Sequence, residues 1–170
     1  MTTDNQDELL VVVDALDRVV GEASRRVIHR DKLLHRAVHV LVFNGNGMLL
    51  LQQRSATKDT YPLHWECVGG HVAPGEDYEQ TARREVLEEL GVESGPLQFL
   101  TKHGPSEATG HEFIAVYKTI ISDPVRPKAE EVLCVEPVEM SAVRAMVATF
   151  ARPFSPAFTE TLRAIEPLGI

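Results

Sequence analysis

Only two cysteines, Cys67 and Cys134, occur in the 170 residues; they make no metal-ligating spacing and no disulfide framework, so reduced thiols are expected. Long basic tracts are missing too. With 17 Lys and Arg against 25 Asp and Glu the formal net charge is −8, which argues against unaided binding of a nucleic-acid polymer, because that needs a positive footprint to displace counterions. The longest early apolar run, Leu9 to Val13, falls far short of the roughly 20 residues that span a bilayer, and no basic segment precedes it. A cytoplasmic protein with no membrane partner is the expectation. Repeats, low-complexity blocks and linkers are also lacking. At 44% apolar and 25% charged, the composition is ordinary for one globular domain over residues 1–170. Oligomeric state has no signature in the sequence.

What is present alternates strands with helices. Leu9 to Asp14 and Arg18 to Ala23 read as a hairpin around Ala15-Leu16-Asp17, and Ser24 to Lys32 as a short helix or irregular basic segment. Val38 to Phe43 and Met48 to Gln53 are apolar strands flanking Asn44-Gly45-Asn46-Gly47, a hairpin turn in which glycine and asparagine tolerate positive φ. A polar loop, Arg54 to His64, leads to a short strand at Trp65 to Val68. Further strands are predicted at Leu97 to Lys102, Glu112 to Ile120 and Val132 to Val138, with closing helices at Ser141 to Phe150 and Pro156 to Ile165. Interleaved in this way, they give a mixed α/β fold.

The densest information lies between Gly70 and Val92. Residues 77 to 90 read as a helix: Asp77 caps it with Gln80 three places on, good helix formers follow, and Gly91 sits where a left-handed terminal residue is wanted. Glu85, Glu88 and Glu89 then fall on one face at i, i+3 and i+4, where like charges repel by roughly 0.2–0.5 kcal/mol per pair. An acidic stripe is ordinarily a solvated face. Grouped hard oxygen ligands also suit Mg²⁺ or Mn²⁺, which take carboxylates together with water and substrate phosphate oxygens.

The stripe does not stand alone. Gly70, Glu76, Arg84-Glu85, Glu88-Glu89 and Gly91, each followed or separated as the pattern requires, match every fixed place of the Nudix hydrolase signature, and the chain resembles that family. The resemblance implies an α/β/α sandwich with a mixed sheet, the box forming a loop, helix and loop. It implies a divalent cation, Mg²⁺ with Mn²⁺ possible, held against a diphosphate while water attacks phosphorus. Glu85, Glu88 and Glu89 are the expected metal ligands. Glycines at 69, 70 and 75 let backbone approach phosphate or metal, Gly69 being placed with the metal set and Gly70 with the substrate. Arg84 and Glu76 can pair to fix the loop against the helix. Glu85, Arg84 and Glu112 form the expected catalytic set, Glu112 because Nudix hydrolases often place a glutamate beyond the box.

A second resemblance lies outside the box. Val13 to Gly21, Leu33-Leu34-His35-Arg36-Ala37 and Leu49 to Lys58 are similar to type I isopentenyl diphosphate isomerases, which share the Nudix fold but move a double bond. That likeness makes Arg54 and Lys58 expected diphosphate contacts. It also gives His71, and with it His29 and His35, counterparts in the isomerase metal set, and likens Glu112 to one of its acids, with Gly110 where the other would stand. Their spacing shows no convergence, and histidines near arginines ordinarily make structural or phosphate contacts. The isomerases carry a catalytic cysteine immediately before the Gly-His that opens the box, where this chain has Gly69. Cys67, two residues earlier on a strand, keeps the face but is displaced by about 7 Å.

The sequence therefore favours a Mg²⁺-dependent pyrophosphohydrolase acting on a small nucleoside di- or triphosphate, since residues marking other Nudix substrates are absent. The alternatives are the isomerase and a non-catalytic nucleotide-binding domain. Trp65, Tyr61 and Phe113 are stacking candidates, though aromatics near apolar strands are usually core. The basic segment Arg25, Arg26, Arg30, Lys32 and Arg36 can draw in an anionic ligand or form a solvated helix face.

Overall fold

In the computed structural model, which describes residue 2 and residues 4–170, the strand at the centre is β3, and its sequence explains the layering. Two strands, β1 (Leu9–Val13) and β2 (Val19–Ser24), pair antiparallel ahead of a helix of about two turns, α1 (Arg25–Asp31). Then β3 (His35–Phe43) runs through an almost unbroken apolar stretch, as a strand covered on both faces should. Its even residues, Val38, Val40 and Val42, pack in one core with Val86 and Leu90; its odd residues, Ala37 and Leu41, pack in another with Phe158, Leu162 and Ile165. These helical partners belong to α2 (Tyr78–Leu90) and α4 (Pro156–Ile165), so the period of two in one strand separates two helical layers. The result is an α/β/α sandwich on a mixed sheet.

β3 is antiparallel to β6 (Val68–His71), from Ala37↔His71 to Val40↔Val68, and parallel along its whole length to β8 (Glu112–Ile120). β8 also pairs with β7 (Gln98–His103). The turn at Asn44 to Gly47 forms as expected, with Asn44 Oδ1 accepting from the Asn46 and Met48 amides. The strands that it joins do not continue as a hairpin. β3 and β4 (Leu49–Arg54) share the single rung Phe43↔Leu49 before β4 turns away to β5 (Trp65–Glu66) and β9 (Val132–Val138). Long-range pairing with β8 and β6 outcompetes the local partner, and the divergence opens space beside β6.

α2 begins in a complete capping box: Asp77 accepts from the Gln80 amide at 2.8 Å, and the Gln80 side chain accepts from the Asp77 amide at 2.9 Å. It ends on Gly91 at φ 67°, where the chain also passes so close to the Arg126 carbonyl that a Cβ would lie 2.5 Å from it. α4 starts at Pro156 behind Ser155, whose hydroxyl accepts from the Phe158 amide. Between β9 and α4 lies α3 (Met140–Ala148). Among the described residues no helix is long and apolar enough to cross a membrane.

Candidate active site

A cavity of about 830 Å³ wraps the free edge of β6 and reaches both faces of the sheet. On the α2 face, β6 carries Gly70 where any side chain would collide with the helix: a Cβ there would stand 2.1 Å from Glu85 Oε1. Glycine lets the carboxylate lie directly on the strand. The three glutamates are not equivalent. Glu85 and Glu89 are 9% and 6% exposed, whereas the Glu88 side chain stands at the rim, 52% exposed.

Glu89 Oε2 accepts from Gln52 Nε2 at 2.8 Å and from the Gly69 amide at 3.2 Å. Burial pushes its carboxyl well above the ordinary carboxylate range, and the neighbouring Glu85 and Glu66 add to the effect. Burial likewise lifts Glu85 to about 7, against the pull of Arg84. Two desolvated carboxylates held side by side are costly without a cation. The Gln52 amide that donates to Glu89 keeps its own oxygen, Oε1, buried and without a hydrogen-bond partner among the described residues. This donor set fits a hard divalent cation.

Arg84 fixes the arrangement. Its Nε and Nη2 donate to the two oxygens of Glu76 at 2.8 and 3.0 Å, joining loop to helix as the sequence suggested. Nη1 donates to Glu85 Oε1 at 2.6 Å and Glu88 Oε2 at 3.1 Å, and Nη2 reaches the His71 carbonyl at 3.0 Å. A fork of this kind sets the rotamers of Glu76, Glu85 and Glu88.

Glu112 enters the cavity from the other face. Its Oε1 accepts from His71 Nε2 at 3.0 Å, and His35 Nε2 lies 3.4 Å from the same oxygen without a hydrogen bond. Burial works to raise this carboxyl, but the two imidazoles override it and hold it below the usual range. His29, His35 and His71, whose spacing gave no sign of meeting, come together from α1, β3 and β6: each offers a ligand atom within 4.8 Å of the others. Imidazoles beside a carboxylate suit a transition metal. Arg25 Nη1 stands 3.0 Å from His71 Nδ1. A guanidinium only donates, so Nδ1 is the acceptor and the proton is on Nε2, facing Glu112. Burial, with Arg25 nearby, lowers the His71 pKa to about 4.

Arg54 and Lys58 line the cavity, as do Tyr61 and Gly70. Each cation is already paired: Arg54 with Glu66 at 2.6 Å, Lys58 with Asp4 and Glu131. Of the basic segment, Arg25 and Lys32 line the cavity. Arg26, Arg30 and Arg36 pair elsewhere, with Asp7, Asp31 and Asp17. Trp65 is buried core under Arg152, whose guanidinium carbon is 4.4 Å from the ring centre. Phe113 packs near Lys102, leaving Tyr61 as the aromatic of the three at the cavity. Cys67 is 1% exposed in the α4-side core, and burial raises its thiol well above the ordinary value. Sequence reasoning missed Gln52 and His39, which carry no local signal, and gave Arg25 only as one cation of the basic segment; tertiary pairing brings all three to the site.

Residues 33–158 match the NUDIX domain family. An uncharacterised Nudix hydrolase of Streptomyces coelicolor is 39% identical over 129 residues, covering 74% of this chain and 71% of that protein. An isopentenyl-diphosphate Delta-isomerase of Nocardia farcinica is 37% identical over 162 residues, 89% of this chain and 90% of its own. Among solved structures, a protein from Deinococcus radiodurans superposes with a TM-score of 0.79 at 27% identity, covering 92% of this chain and 98% of the other.

Proposed function

Because the chain belongs to the Nudix family, in a branch that resembles the isopentenyl diphosphate isomerases, we propose that it is a Mg²⁺-dependent pyrophosphohydrolase, residues 1–170 forming one Nudix domain. It cleaves a phosphoanhydride bond in a small nucleoside di- or triphosphate. The observation that carries this reading is the intact carboxylate cluster: Glu85 and Glu89 buried and Glu88 at the rim, with Glu85 and Glu88 held by Arg84 and Glu89 by Gln52 and the Gly69 amide. Neither an isomerase nor a simple binding domain needs that cost.

Glu85, Glu88 and Glu89, with the backbone at Gly69, would hold the cation. When bound, Mg²⁺ supplies Lewis acidity toward phosphoryl oxygens and lowers the pKa of water. The chain does the rest. Gly70 removes the side chain that would separate substrate from Glu85. Arg54 and Lys58 exchange their internal carboxylate partners for the phosphate chain, and Arg84 keeps the carboxylates aligned. Glu85 and Glu112 are the carboxylates assigned to proton transfer.

One observation favours a second reading, isopentenyl diphosphate isomerisation: the meeting of His29, His35 and His71 beside Glu112. Against it, the cavity presents no thiol, since Gly69 holds the isomerase position and Cys67 is sealed in the core. ³¹P NMR with Mg²⁺ and a panel of nucleoside di- and triphosphates, ADP-ribose and isopentenyl diphosphate separates the two. Metal-dependent loss of a diphosphate resonance supports the hydrolase. Conversion of isopentenyl diphosphate alone, followed in proton spectra, would replace it with the isomerase.

A further inference from the structure

The carboxylates and Arg84 account for the α2 side of the cavity, and a diphosphate fills only part of about 830 Å³. The remainder opens on the α4 side, past Gly69, toward Thr109, Ser155 and Ala157. Its floor carries a histidine that the hydrolytic machinery does not use. His39 sits in mid-β3 at 7% exposure, with Nδ1 2.7 Å from Thr161 Oγ1 of α4. Its side chain lines the cavity, and Nε2 has no partner among the described residues, yet it is not among the sealed orphan atoms.

Gly69 uncovers this ring. The two residues are directly paired across the β3–β6 ladder, and a Cβ on Gly69 would lie 2.7 Å from His39 Cδ2. The same glycine donates its amide to Glu89, so the imidazole is one strand residue removed from the carboxylate cluster, on the opposite face.

The Thr161 hydroxyl is shared. It also stands 3.0 Å from His103 Nε2. One hydroxyl has one hydrogen and two lone pairs, so at most one of the two imidazoles accepts from it, and one or both donate to it. When the hydroxyl donates to His39 Nδ1, His39 shows Nε2–H to the cavity; when Nδ1 donates to the hydroxyl, the neutral ring shows a bare nitrogen. The pair thus offers a donor or an acceptor at one fixed point.

We propose that His39 selects the leaving half of the substrate, its Nε2 hydrogen-bonding a polar nucleoside ring on the α4 side of the cavity, with Thr161 as the positioning residue. The proposal rests on the hydrolase reading above and adds to it the residue that recognises the nucleoside. A hydrocarbon chain there would leave a buried nitrogen unpaired, so the site favours polar rings over prenyl groups. The exchangeable tautomer suits amino- and keto-substituted rings alike.

The first test is the ratio of kcat/KM for a nucleoside diphosphate to that for methyl diphosphate, which has the anhydride but no ring. His39→Ala should lower that ratio by about threefold to tenfold, the loss of one neutral hydrogen bond. His39→Gln should retain most of it. Thr161→Val should lower it through KM, and Thr161→Ser should restore it; an unchanged ratio in His39→Ala overturns the proposal. A second measurement needs no variant: ¹⁵N-histidine spectra of the wild-type protein with Mg²⁺ and either α,β-methylene-ADP or methylenediphosphonate. A His39 Nε2 shift with the nucleotide only is the expected result. If both analogues bind and His39 responds to neither, this assignment fails while the hydrolase stands; if neither binds, the hydrolase reading fails with it.

Discussion

Gly70 and Glu85 compete for the same space: a methyl group on the first would stand 2.1 Å from a carboxylate oxygen of the second. Gly70→Ala must therefore push Glu85 off β6 or shift the strand itself. Turnover should fall by roughly a hundredfold, the scale expected for an ångström-level misplacement, with the fold retained by circular dichroism. Activity within a factor of a few would show that Glu85 need not lie against the strand.

Glu89→Gln keeps the shape and removes the charge next to Gln52 and the Gly69 amide. Mg²⁺ binding, followed by calorimetry, should weaken, and kcat should drop by several powers of ten while the thermal midpoint of the metal-free protein holds or rises, because the cost of ionising a buried carboxyl has gone. Unaltered turnover would remove Glu89 from the metal set.

Stability should depend on pH in a direction set by these carboxylates. In the metal-free protein, burial lifts the Glu85 carboxyl to about 7 and raises the Glu89 carboxyl well above the ordinary range. The folded state then binds more protons than the unfolded chain above about 4.5, so this contribution is complete at low pH and is lost as pH rises through 7. His39 and His71, both lowered to about 4 chiefly by burial, act in the opposite sense and lose stability as pH falls below about 6.5. The carboxylate effect is read above that value. The midpoint of the metal-free protein should fall by several degrees between about pH 6.5 and 8.5, and saturating Mg²⁺ should flatten the curve and release protons on binding. A midpoint rising over that interval would contradict the assigned shifts.

Cys67→Ser tests the dismissed thiol. The sulfur lies in the α4-side core and lines no part of the cavity. Hydrolysis should be almost unaffected, while burying a hydroxyl there costs roughly 1–3 kcal/mol in thermal or denaturant unfolding. Abolished turnover with an intact fold would mean that the thiol takes part.

The box helix was readable because everything that defines it is local: the Asp77–Gln80 cap, the three-four spacing of the glutamates and the terminal Gly91. Strand β9 and helix α4 fall at the bounds that their patterns suggest, Val132–Val138 and Pro156–Ile165. The β3–β4 hairpin was overextended, since turn chemistry specifies the bend but not whether the strands stay together; β8, some seventy residues away in sequence, decides that. The spacing of His29, His35 and His71 did not show their meeting for the same reason, as each arrives on a different element, and only the likeness to the isomerases grouped them. Arg25, Gln52 and His39 look like an ordinary helix cation, strand amide and strand histidine until the sheet is assembled.

The alternation along β3 has a consequence for how such a protein can change. Val38 backs the carboxylate side and His39 the opposite side, and their partners on β6, Gly70 and Gly69, follow suit. Neighbouring codons thus address separate compartments. A substitution at His39 leaves the carboxylate side of this strand as it was, whereas inserting or deleting one residue between 35 and 40 would exchange the two compartments and forfeit both.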